Sequence, residues 1–164
     1  MRLFLLLLFF ASCARQDPWH ETAIRNTNPE HEMAKLAYPA SNPHDGIQLE
    51  FVRHGDSLNG YLSILAFTIP PHPDHPKQTI LTCQTCDEKR SFLIERLEGG
   101  QKLRLSQEAI TFLINAFQNV PTVHLSLGHH SQTYKSAHFE KHFRSLHHLP
   151  PRYFPEKLVT FELY

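Results

Sequence analysis

The chain has 164 residues, 41% of them hydrophobic, which suits one folded domain and leaves little room for two. Lys and Arg number 16 and Asp and Glu number 16, so there is no global field to recruit nucleic acid or an anionic membrane. Histidine is the outlier at 13 residues; most are neutral at pH 7, and mild acid would make the chain cationic.

The N-terminal stretch MRLFLLLLFFASC carries one positive residue, Arg2, and an apolar run from Leu3 to Phe10. That run is too short for a bilayer span of about 20 residues. It is long enough for the apolar centre of an export signal. The small residues Ala11 and Ser12 followed by Cys13 resemble the lipobox of bacterial lipoproteins, with Phe10 where that family most often has Leu. The resemblance implies cleavage after Ser12 and acylation of Cys13, which becomes the N-terminus. Each buried acyl CH₂ is worth about 0.8 kcal/mol, so several chains anchor stably. Residues 1–12 are thus expected as a signal peptide. Ala14 follows the cysteine, which permits outer-membrane sorting in that family. The mature chain would then work in an oxidising compartment, where the remaining Cys83 and Cys86 form an even pair suited to a disulfide.

Residues 13–45 read as a lipid-anchored flexible tether. Pro18, Pro29, Pro39 and Pro43 interrupt a segment of mixed charge without a sustained period, leaving room only for a short helix around Glu30 to Leu36. Such a composition buries too little to offset ordering entropy.

The globular domain is expected over residues 46–164. IQLEFV alternates apolar and polar, GDSLNG is a turn cluster, and YLSILAFTI is a second strand, so the pair reads as a hairpin. PPHPDHP interrupts the ladder. QTILTC and SFLIERL form a second strand pair joined through QTCDEKR, and QKLRL is a further strand. Between residues 106 and 118 the period changes. Ile110, Leu113 and Phe117 share a helical face, Ser106 can cap, and Glu108 suits the positive end. TVHLSL is a strand that SQTY continues across the GHH turn. A second helix is expected over about 136–148, with Phe139, Phe143 and Leu146 on one face, and KLVTFELY closes as a strand. Strands first and helices late give an α+β class, with a mainly antiparallel, meander or sandwich-like sheet and two helices.

Three motifs suggest chemistry. Arg53-His54-Gly55 at a strand end resembles the nucleophile motif of the histidine phosphatase family. That resemblance implies a nucleophilic His54 and a phosphate-holding Arg53, with His129 or His130 as the second histidine. The flanking strands instead make Arg53 and His54 polar residues at a hairpin end. Cys83-x-x-Cys86, with NVPTV downstream, resembles thioredoxin-like proteins, which implies a redox pair facing Pro121. At a hairpin tip the same cysteines form a structural disulfide. His138 and His142 stand at i, i+4, a spacing able to present two imidazoles to one metal, and His72, Asp74 and His75 share a loop.

Together these point to a non-catalytic binding or structural module of the cell envelope. It would be held to a membrane by Cys13, facing an envelope protein partner, with no cofactor and no nucleic acid. A thiol-disulfide oxidoreductase, a transition-metal-binding protein and a histidine phosphatase are the alternatives.

Overall fold

The computed structural model describes residues 17–24, 32–97 and 99–147. Nine strands form one antiparallel sheet: β1 (His20–Ile24), β2 (Met33–Tyr38), β3 (Ile47–His54), β4 (Ser57–Ile64), β5 (Gln78–Gln84), β6 (Lys89–Arg96), β7 (Lys102–Arg104), β8 (Thr122–Leu127) and β9 (His130–Lys135). Two helices complete the described fold, α1 (Gln107–Asn119) and α2 (Phe139–His147). Strand outweighs helix, and the α+β expectation agrees with this balance.

The two main hairpins follow from local chemistry. In β3 the alternation buries Ile47, Leu49 and Phe51. His54 pairs with Ser57 across a two-residue turn in which Gly55 has φ 55°, a region glycine enters with little steric cost. In β5 and β6 the alternation buries Leu81, Cys83, Phe92 and Ile94. Ser106 caps α1 by accepting from the Ala109 N–H at 3.2 Å, and the helix turns Ala109, Ile110, Leu113, Ala116 and Phe117 inward.

The strand order is β1-β2-β3-β4-β7-β6-β5-β8-β9. Six inter-strand steps separate β3 from β9, about 29 Å in a flat sheet at 4.8 Å per step. Their side chains nevertheless touch. Tyr134 of β9 donates its hydroxyl to the Ile47 carbonyl at 2.6 Å. The Gln132 side-chain oxygen accepts from the Ser41 and Ile47 N–H groups at 2.8 and 3.0 Å, and its nitrogen donates to the Pro39 carbonyl at 2.9 Å. The sheet is therefore rolled, with β9 brought round onto β3 and α1 and α2 packed on it.

An aromatic cluster lies inside the roll. Trp19 is 2% exposed and sits 4.9 Å from Tyr38, 5.3 Å from Phe117 and 5.0 Å from Phe139 between ring centroids. Its indole N–H donates to the Lys135 carbonyl at 3.1 Å. This corrects the tether expected over residues 13–45. From Asp17 to Ile24, and again through β2, the segment is part of the sheet and core. MAKLAY is too short to show a sustained period, yet it buries Ala34, Leu36 and Tyr38 at period two. The short helix expected around Glu30 to Leu36 is in its described part strand β2. The expected signal peptide, the acylated Cys13 and the closing KLVTFELY strand lie outside the described residues.

Gln132→Leu should destabilise the fold by about 2–3 kcal/mol, because it leaves two N–H groups and a carbonyl without their buried partner. Denaturant unfolding measures the loss. Native-state hydrogen exchange should show it first at the Ile47 amide.

Candidate functional site

A groove of about 590 Å³ opens between the tip of the β5–β6 hairpin and the outward face of α1. The tip is a tight turn: the Thr85 hydroxyl accepts from the Asp87 and Glu88 N–H groups, and the Thr85 N–H donates to the Glu88 carbonyl at 2.8 Å. From the hairpin come Thr85, Asp87, Glu88 and Arg90, and from the helix Gln107, Glu108, Thr111, Phe112 and Asn115. Phe112 packs against Phe92 at 5.4 Å, and the Arg90 guanidinium lies over its ring at 5.4 Å. Arg90 also bonds Glu88. The lining holds three carboxylates against this one paired cation, with an aromatic floor. Such a surface suits a cationic or hydrogen-bonding segment.

The cysteines flank this tip without joining. Both are free; Cys83 is buried and Cys86 exposed. The expected disulfide is therefore absent from the described structure, and the reason is the strand alternation. Cys83 points inward with Leu81, while Cys86 lies past the strand end on the exposed turn. Burial pushes the Cys83 thiol up to about 12. A hydrogen bond to the Asp87 carboxylate, 3.2 Å away, raises the Cys86 thiol. Neither is an activated thiolate. The segment after Cys86 is β6 and not a helix, so the thioredoxin-like arrangement does not form, and Pro121 precedes β8 in a trans peptide.

Arg53 and His54 sit at the hairpin end. Arg53 donates from Nη1 to the Gly55 carbonyl at 3.2 Å, and His54 is exposed. The next element is β4, not the helix that a histidine phosphatase requires. His129 and His130 belong to the β8–β9 turn. His130 lies two residues from Gln132, which bonds Ile47, so it sits near the first residue of β3 while His54 is the last. Seven strand rises, about 23 Å, separate those two ends. His130 is buried with Nδ1 unpartnered, and His129 is exposed.

His138 and His142 do not share a helical face. His138 has φ 66° and precedes α2, because the Phe139 N–H is turned back onto the Ser136 carbonyl. His142 is engaged on both ring nitrogens: Nε2 meets the Asp17 carboxylate at 2.7 Å and Nδ1 meets Glu21. Two carboxylate partners favour the ring with both nitrogens protonated. Glu21 also accepts from the Ser145 hydroxyl at 2.6 Å. This clamp fastens the N-terminal segment to α2. Partial burial lowers the His142 pKa, but the hydrogen bonds to Asp17 and Glu21 outweigh it and the net shift is upward. For Asp17, burial raises the pKa, the bond to His142 lowers it, and the net shift is downward. His72 and His75 stack at 5.3 Å in their loop. Among the described residues, no three His, Cys, Asp or Glu groups converge as metal ligands would.

The buried carboxylate is Glu50. It bonds Lys35 at 3.1 Å and Gln48 at 2.9 Å, and Lys102 lies 3.4 Å away. Burial pushes its pKa up, but the two lysines more than offset this and hold it low. Its neighbours satisfy it fully, which marks it as structural. Sequence reading missed both the groove and the clamp. The one available signal was Phe112, an aromatic residue placed off the apolar face of α1.

Two outcomes follow for these groups. Under native conditions maleimide should modify Cys86 and spare Cys83 until the protein unfolds, and peptide mapping should recover both as free thiols. The His142 clamp should be strongest in weak acid. His142 has a raised folded pKa, so its contribution is complete below the ordinary 6.5 and is lost as pH rises through the folded value. Asp17 contributes above the ordinary 3.8 and loses its share as pH falls through a lower folded value. His142→Gln should therefore cost about 1 kcal/mol near pH 5 to 6, the partly exposed carboxylates keeping it modest. The difference from wild type in Tm should shrink as pH rises through the raised folded value of His142.

No protein-family model, no curated protein and no solved structure matches this chain.

Proposed function

We propose that the chain is a membrane-anchored lipoprotein of the cell envelope that acts as a non-catalytic binding module. The observation that carries the binding half is the groove between the β5–β6 tip and α1. It has the volume and the mixed aromatic and polar lining of a recognition surface. Its acidic lining, Asp87, Glu88 and Glu108, favours a partner that brings positive charge. The anchoring half rests on the short apolar run ending in Ala11-Ser12-Cys13. On this reading attachment is through acyl chains on Cys13; among the described residues no helix is long and apolar enough to cross a membrane.

Labelling with a palmitate analogue tests the anchor. The wild-type chain should incorporate it and fractionate with membranes, and Cys13→Ala should do neither. An intact peptide running through residues 10–16 with an unmodified cysteine would refute the reading.

A further inference from the structure

The two ends of the rolled sheet are chemically different. One end carries the β3–β4 turn, the tip of the β5–β6 hairpin and the groove. At the other end β4 closes at Ile64, opposite Ile47, and the chain runs into Leu65-Ala66-Phe67. Leu65 is 57% exposed and Phe67 72% exposed. Phe67 also has φ 70°, in the left-handed region that bulky residues avoid. That strain comes with little packing of the ring inside the fold, and such strain is characteristic of residues that act on something outside it. The loop is held in place, because the Ile64 and Ile69 N–H groups bond the Gln101 and Gly100 carbonyls at 3.0 Å each.

β1 starts at this same end. β1 pairs His20 with Ala37 and Ile24 with Met33, and Met33 lies opposite His54. β1 therefore runs toward the β3–β4 turn, and Trp19 enters it from the side of Ile47 and Ile64. Cys13 is four residues before Asp17, a reach of at most about 14 Å. Asp17 and Trp19 are fixed by the His142 clamp and the aromatic cluster, so an acyl anchor at Cys13 would hold this end close to the lipid.

We propose that the Leu65–Phe67 loop inserts into the interfacial region of a phospholipid bilayer, setting the domain upright with its groove turned away from the membrane. This rests on the lipoprotein reading, which supplies the bilayer. Apolar side chains presented at a rigid tip gain by leaving water for the acyl boundary.

The test uses the full acylated chain in vesicles of phosphatidylethanolamine and phosphatidylglycerol, with and without brominated acyl chains. Wild type reports only buried Trp19 and gives the baseline. In Phe67→Trp the added indole should lose most of its emission to the brominated lipid. Phe67→Gly should keep or raise Tm, because glycine relieves the positive φ. An indole that emits as if in water, on a chain whose N-terminal mass shows the lipid, would overturn the loop contact and leave the anchor standing. A blue-shifted but unquenched indole would mean a protein contact and would also overturn it. An unmodified Cys13 would overturn both readings. A lower Tm for Phe67→Gly would make the ring structural and refute the insertion.

Discussion

Closure of the rolled sheet depends on a few polar side chains in its last strand. A nine-stranded antiparallel sheet twists, but twist alone does not bring the ninth strand to the third. Gln132 and Tyr134 do so by satisfying backbone groups at the start of β3 and in the loop before it. The two bonds to Ile47 are buried, with Gln132 4% exposed and Tyr134 fully enclosed. An unmet amide there would incur the desolvation cost without return. The closure also creates the space that the aromatic cluster fills, so the core and the seam stabilise each other.

Trp19 gives that seam a second consequence. It fills the aromatic cluster from a residue upstream of the first strand, and its N–H is satisfied by the Lys135 carbonyl of β9. The N-terminal segment is thus part of the closure. The His142 ring reinforces it by holding Asp17 and Glu21, at either side of Trp19 and His20, against α2. Any anchor at Cys13 acts through only three intervening residues before the first fixed one.

What could be read from the sequence was local. The β3–β4 hairpin was visible because Ile47, Leu49 and Phe51 alternate and Gly55-Asp56 makes a turn. The first helix was visible because Ser106 caps a run with Ile110, Leu113 and Phe117 on one face. β1 and β2 were hidden, since five or six residues with a proline on either side carry too few repeats to distinguish a strand from a tether. The place of His138 was not legible: it lies one residue outside the helix, in a left-handed turn that spacing alone does not reveal. The cysteines were more legible than the disulfide expectation allowed. Leu81 and Cys83 already shared an inward register, and a partner three positions on, past the end of the strand, is poorly placed to meet it. The groove and the β4–β7 and β5–β8 pairings join segments far apart in the chain, and no local pattern encodes them.

The same topology gives the molecule a direction. Because β5 and β6 pair along their whole length, their tip projects at one end of the sheet, and α1 reaches β8 alongside it. The long loop after β4 must return to the start of β5, so it crosses the opposite end, with the β8–β9 turn close by: a Cβ on Gly128 would lie 3.8 Å from Pro70. Charge follows the same division. The groove end concentrates Asp87, Glu88 and Glu108 around a paired arginine, whereas the loop end presents Leu65 and Phe67. The rolled sheet thus sets the acidic groove and the exposed apolar loop at opposite ends, about one strand length apart.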